Sequence, residues 1–94
     1  MIFVKFKIES GDYEYFDYSW FKDCGLAHKD MIREVYGIDL EDEDNAEIFE
    51  NNFDEDTNIY EDHSGDFISV YKVQEMTEKE LDVLSKLGVL YRWK

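Results

Sequence analysis

The stretch IFVKFKIESGDYEYFDY, residues 2–18, decides the fold. Its first half alternates between two sides, and one side carries only apolar residues, namely Ile2, Val4, Phe6 and Ile8. A period of two predicts a strand with one buried face. Ser10, Gly11 and Asp12 then supply turn formers, and residues 13–18 alternate again. Two alternating runs around a short turn predict a β-hairpin.

Two helices are predicted after the hairpin. The first covers residues 24–36, with Asp23 as its cap, Gly37 as its stop and one apolar side formed by Ala27, Met31 and Val35. The second covers residues 42–53, with Asp42 or Asp44 as its cap. Its buried side is expected to contain Ala46, Phe49 and Phe53.

The last third of the chain predicts a central strand and a capped helix. Residues 54–66 form a polar loop with a short strand at 59–60, whereas FISVYKV at 67–73 is β-branched and aromatic. Thr77 and Glu80 fit a capping box. Three leucines of the helix that follows are expected to point inward, namely Leu81, Leu84 and Leu87. A closing strand is predicted over residues 89–93.

These elements predict an α+β fold: a small, mostly antiparallel sheet in the order β-β-α-α-β-α-β, with helices packed on it, in a single domain over residues 1–94. No run of eighteen apolar residues is present, so no membrane span is expected. The opening residues lack the apolar core of a signal peptide, and Cys24 is the one cysteine. A cytoplasmic location is therefore expected.

The net charge of −14 is concentrated in one part of the chain. Residues 34–71 contain fourteen Asp and Glu and no Lys or Arg, while the rest of the chain contains ten acidic and ten basic residues. We call residues 39–66 the acidic segment. A surface that only served solubility would mix both signs. The separation of charge therefore favours a binding role over a plain solvated surface.

Metal binding and catalysis are not favoured. Asp54, Asp56 and Asn58 have the spacing of an EF-hand loop, but Ile59 stands where that loop needs glycine and Gly65 where it needs glutamate. No pair of carboxylates is singled out for acid–base chemistry, and no phosphate-binding or zinc motif is present. We expect no catalytic residues, no cofactor and no dedicated metal. Direct nucleic-acid binding is also excluded, because it requires Lys and Arg to neutralise phosphates.

The second predicted helix instead displays a regular row of carboxylates. Glu43, Glu47, Glu50 and Asp54 are spaced i, i+4, i+7 and i+11. Neighbours in such a row lie about 4.5 to 6 Å apart along a helix axis. Duplex DNA carries one charge per roughly 1.7 Å of its axis when both strands are counted, so the two charge densities are comparable. The row could therefore enter a groove built for a phosphate backbone.

A basic protein is the partner expected for this surface, and a homodimer is possible. The partner-binding residues are predicted to be the twelve acids between residues 39 and 62: Asp39, Glu41, Asp42, Glu43, Asp44, Glu47, Glu50, Asp54, Glu55, Asp56, Glu61 and Asp62. Opposite charge on the partner would steer association and release counterions.

In size, acidity and α+β layout with an acidic helix, the whole chain resembles the phage-encoded DNA-mimic inhibitors. This group includes the anti-restriction nuclease proteins of T-even phages and the small acidic anti-CRISPR proteins. The resemblance implies a phage origin, stoichiometric inhibition of a restriction nuclease or CRISPR effector in the host cytoplasm, and a homodimer that lengthens the charged surface. The group shares no diagnostic motif, so the residues above come from the charge pattern.

An immunity or antitoxin protein is the alternative function. Such proteins are also small and acidic, and they plug the active site of a basic nuclease toxin. Both classes predict tight, salt-sensitive binding to a basic protein. They differ in the range of proteins they bind. A DNA mimic competes with DNA for the DNA-binding cleft of a host enzyme, whereas an immunity protein binds one cognate toxin.

Overall fold

One antiparallel sheet organises the chain in a computed structural model that describes residues 1–22, 25–38 and 41–90. Its strands are Ile2–Ser10 (β1), Tyr13–Phe21 (β2), Phe53–Asp54 (β3), Ile59–Glu61 (β4) and Phe67–Glu75 (β5). The helices are His28–Val35 (α1), Glu43–Asn52 (α2) and Glu78–Lys86 (α3). The strands lie in the order β2-β1-β5-β4-β3, and every pairing is antiparallel. The predicted α+β class is confirmed.

The hairpin that opens the chain forms as predicted. Ser10 pairs with Tyr13 across a two-residue turn, in which Gly11 has a φ of 59° that favours glycine. Strand β2 runs beyond the predicted end to Phe21, whose side chain is buried in the core, whereas Trp20 lies on the opposite face. β5 was predicted to be central, and it pairs with both β1 and β4.

The main core lies between one face of the sheet and helices α1 and α2. The apolar side of β1 is entirely buried in it: Ile2, Val4, Phe6 and Ile8. Met31 and Ile32 of α1 and Phe49 of α2 belong to the same buried cluster. The first stretch of sequence therefore supplies one side of the core that both helices cover.

Helix α3 packs on the other face of the sheet. Its predicted capping box is present, because Glu80 N–H donates to Thr77 Oγ1 and Thr77 N–H donates to the Glu80 carboxylate. Leu81 is fully buried there beside Leu90. The prediction that Leu87 points inward was wrong. Its side chain is 71% exposed, because the helix ends at Lys86 and the chain turns away.

Further elements differ from the sequence-based predictions in their bounds or in their presence. Helix α1 begins at His28 rather than at residue 24, since its N-cap is Ala27 and the nearby Gly25 disfavours a helix. The predicted cap, Asp23, lies outside the described residues. Strand β3 was not predicted, because a two-residue strand carries no periodic signal. No strand begins at Val89, and residues 91–93 of the predicted closing strand lie outside the described part.

No helix in the described part of the chain is both long and apolar enough to cross a membrane.

Candidate protein-binding face

Helix α2 is held on the sheet by a cluster of three aromatic rings. The Phe49 ring centroid lies 5.7 Å from that of Phe53 and 5.0 Å from that of Tyr60. All three side chains are buried, as predicted for Phe49 and Phe53, while Ala46 is half-buried. This contact fixes the rotation of the helix about its axis.

The fixed rotation leaves the acidic side of α2 in solvent. Glu43, Asp44, Glu47 and Glu50 are all exposed. The predicted helical row is shorter than expected, because α2 ends at Asn52 and Asp54 belongs to β3. Phe53 already has an extended backbone, with a φ of −103° and a ψ of 121°. The four-membered helical row was therefore wrong in its last member.

A lysine from outside the acidic segment neutralises part of this surface. Lys29 Nζ on α1 lies 3.9 Å from Glu50 Oε1 and 3.6 Å from Glu55 Oε1. Among the described residues, no salt bridge reaches Glu43, Asp44 or Glu47. We call these three residues the α2 acidic patch. Within the described part of the chain, no ion pair neutralises this patch.

Three predicted site residues also hold local structure. Asp42 Oδ1 accepts from the Asp44 N–H at 3.0 Å, which confirms Asp42 as the helix cap. Asp54 Oδ1 accepts from the Asp56 N–H at 2.9 Å in the turn between β3 and β4. Asp62 Oδ1 accepts from the N–H groups of Ser64 and Asp66 in the β4–β5 loop. These hydrogen bonds to the backbone fix each carboxylate in position.

The other predicted site residues lie around this patch. Glu41, Asp56 and Glu61 are exposed, and Asp39 lies outside the described residues. The eleven acids within the described residues therefore do not form one continuous stripe. They lie just before and on α2, in β3 and the β3–β4 turn, and at the end of β4 and the start of the loop that follows it.

A cleft of about 440 Å³ lies between α2 and the β4–β5 loop. Its lining includes Asn45, Ile48 and Asn52 from α2. The opposite wall includes Asp62 and His63. Sequence reasoning did not find this cleft, because its walls come from segments that are distant in the sequence, and Ile48 on the α2 wall is 54% exposed.

A smaller cavity of about 170 Å³ adjoins the cleft. The two share Ile38, Tyr60, Asp62 and His63, and the smaller one also reaches Tyr36. The Tyr36 hydroxyl donates to Asp17 Oδ2 at 3.4 Å. The smaller cavity therefore extends the cleft toward Tyr36, and Tyr60 and Asp62 line both.

Burial and nearby carboxylates raise the pKa of both tyrosines. For Tyr36 the largest cause is burial, followed by the charge of Asp17 and its hydrogen bond, with a smaller effect from Asp62. For Tyr60 burial again comes first and the charge of Asp62 second. Each cause favours the neutral phenol, and the electrostatic ones indicate a negative potential in the cleft.

Within the described ranges, no group of three or more His, Cys, Asp or Glu side chains is placed to hold a metal ion. No protein-family model, no curated protein and no solved structure matches the chain.

Proposed function

We propose that this protein is a DNA-mimic inhibitor whose acidic face occupies the basic DNA-binding cleft of a host defence enzyme, a restriction nuclease or a CRISPR effector. The observation that supports this most is the α2 acidic patch. Its three carboxylates, Glu43, Asp44 and Glu47, project from a helix that Phe49 fixes on the sheet. A fixed array of like charge gains nothing within the monomer, because like charges one turn apart destabilise a helix.

A basic cleft on a partner protein would compensate the charge of these carboxylates. Lysines and arginines that face phosphates in the DNA complex would face carboxylates here, and both surfaces would release counterions. The association would be fast at low ionic strength and would weaken with salt. The protein would act by occupancy, one molecule for each site, and not by catalysis. Its place of action would be the cytoplasm of the host of a phage.

An immunity or antitoxin function is the second candidate, and the length of α2 favours it. The helix has ten residues, which span about 15 Å. One such helix covers only a few phosphates of a duplex and is of a size to plug the active site of a basic nuclease toxin. Breadth of inhibition separates the two functions. A DNA mimic should inhibit related enzymes that share a DNA-binding cleft, whereas an immunity protein should inhibit one toxin.

The experiment that tests the proposal compares two variants of equal charge. One neutralises the patch with Glu43→Gln, Asp44→Asn and Glu47→Gln. The control neutralises three exposed acids away from α2 with Asp12→Asn, Glu34→Gln and Glu75→Gln. Both change the net charge from −14 to −11. Cleavage of DNA by a panel of restriction nucleases and CRISPR effectors should be inhibited by the control variant but not by the patch variant.

A further inference from the structure

The cleft between α2 and the β4–β5 loop contains the strongest signal that the acidic patch does not explain. Tyr60 is only 8% exposed and lines both the cleft and the smaller cavity behind it. No hydrogen bond within the described residues reaches its hydroxyl. The hydroxyl oxygen is not sealed off from the cleft, so a polar ligand that enters the cleft can form a hydrogen bond with it.

We propose that this cleft binds one guanidinium group, supplied by an arginine side chain of the partner protein. This identification of the occupant rests on the proposed function, whereas the affinity of the cleft for guanidinium does not. The charge of the lining selects a cation. Glu61 and Asp62 contribute to the wall, His63 is its one basic side chain, and no Lys or Arg of the described chain lines either cavity.

The Asp62 carboxylate is positioned to accept such a group. Its Oδ1 already accepts the N–H groups of Ser64 at 2.9 Å and Asp66 at 3.0 Å, and the Asp62 N–H donates to the Asp66 carbonyl at 2.9 Å. These bonds hold the side chain in place and leave Oδ2 for a ligand. A carboxylate that is fixed in advance loses little conformational entropy when it binds.

The other lining residues suit the planar guanidinium group of arginine, which has several N–H donors, better than the ammonium group of lysine. The Tyr60 hydroxyl can accept a hydrogen bond, and so can Asn52 Oδ1, because Asn52 Nδ2 is occupied by the Ile48 carbonyl at 2.8 Å. Acceptors on both walls match the several N–H groups of guanidinium. Ile38 and Ile48 supply apolar surface for the aliphatic stem of the side chain.

The test is a titration of the ¹⁵N-labelled protein with Nα-acetyl-arginine methylamide, followed by NMR. The amide signals of Asn45, Asn52 and His63 should shift and saturate. The citrulline analogue has the same shape without the charge, and it should cause no saturable shift. Equal shifts with the two compounds, or none with either, would overturn the proposal.

Two matched variants test the role of Asp62. Asp62→Asn removes the charge but keeps the Oδ1 acceptor for the loop, and it should weaken binding of the arginine compound by roughly tenfold. Asp12→Asn makes the same change of charge in the β1–β2 turn, away from the cleft, and it should leave the affinity unchanged. Equal affinities of the two variants would contradict the assignment of Asp62.

A further comparison identifies the source of the guanidinium. Free L-arginine carries an α-amino and an α-carboxyl group that a side chain within a protein does not. Equal or weaker binding of free arginine supports a partner side chain, and tighter binding would overturn that source in favour of a small molecule. The titration needs no inhibition target, so its failure would leave the function of the α2 acidic patch untouched, and the reverse also holds.

Discussion

Lys29 on α1 lies with its Nζ 3.6 Å from Oε1 of Glu55, in the turn that follows β3. The same Nζ lies 3.9 Å from Glu50 Oε1 at the end of α2. One cation from the neutral part of the sequence therefore joins two elements of the acidic segment. It also divides the acidic surface into a partly neutralised end and the α2 acidic patch at the other end.

Removal of Lys29 should change the electrostatic potential at the acidic surface more than it changes the free energy of unfolding. We expect Lys29→Gln to lower the free energy of unfolding by less than about 1 kcal/mol, since both ion pairs are exposed. The variant should elute from an anion exchanger at higher salt than Lys86→Gln, which removes one exposed charge from α3. Equal elution would show that Lys29 does not neutralise the acidic surface.

The aromatic anchor of α2 should carry much of the stability of this face. Phe49→Ala removes a side chain that is only 2% exposed and is in contact with Phe53 and Tyr60. We expect a loss of about 3 to 5 kcal/mol in urea denaturation. The neighbouring Ile48→Ala is the control. Ile48 is 54% exposed, so its truncation should lower the free energy of unfolding far less. Similar losses for the two variants would contradict the observed orientation of the helix.

The cap of α2 depends on a hydrogen-bond acceptor at Asp42. Asp42→Ala should lower stability by about 1 kcal/mol, because the Asp44 and Asn45 N–H groups lose their acceptor. Asp42→Asn keeps a hydrogen-bond acceptor and should lower the stability much less. Thermal unfolding of the two variants checks this, and a loss as large with asparagine as with alanine would mean that the charge, and not the hydrogen bond, stabilises the helix.

The stability of the protein should fall at alkaline pH because of Tyr36. Its pKa in the folded state is raised above that of the unfolded chain, which is about 10. A raised pKa means that stability is complete below about pH 10 and falls above it, as the unfolded state ionises first. Tyr36→Phe should show a shallower loss in urea midpoints measured between about pH 8 and 11. Lysines titrate in both proteins, so parallel curves would contradict the assignment.

Local patterns in the sequence predicted the elements whose signals are local. The alternation around Ile2 and Ile8, the β-branched run at 67–73 and the Thr77–Glu80 capping box each correspond to an observed element. The same reasoning placed the apolar anchors of α2 correctly. These signals depend on neighbours within one strand or one helical turn, which a sequence displays directly.

The parts that could not be predicted depend on contacts between distant segments. Nothing in the sequence next to Glu50 shows that Lys29 approaches it, because the approach follows from how α1 and α2 pack on one sheet. The cleft beside Tyr60 likewise exists only once the β4–β5 loop stands opposite α2. The predicted row of helical carboxylates contains Glu43 and Glu47 of the α2 acidic patch, and it is shorter than predicted because α2 ends at Asn52.

The most direct test of the central claim is competition with DNA. The protein would be used to capture a basic partner from a host lysate, with elution by salt, and that partner would be bound to a fluorescently labelled duplex. We predict that the wild-type protein and the Asp12, Glu34 and Glu75 control variant displace the duplex at one molecule per site, and that the Glu43, Asp44 and Glu47 variant does not. Displacement by the patch variant as complete as by the wild type, or binding of the wild type without any displacement of DNA, would contradict the account.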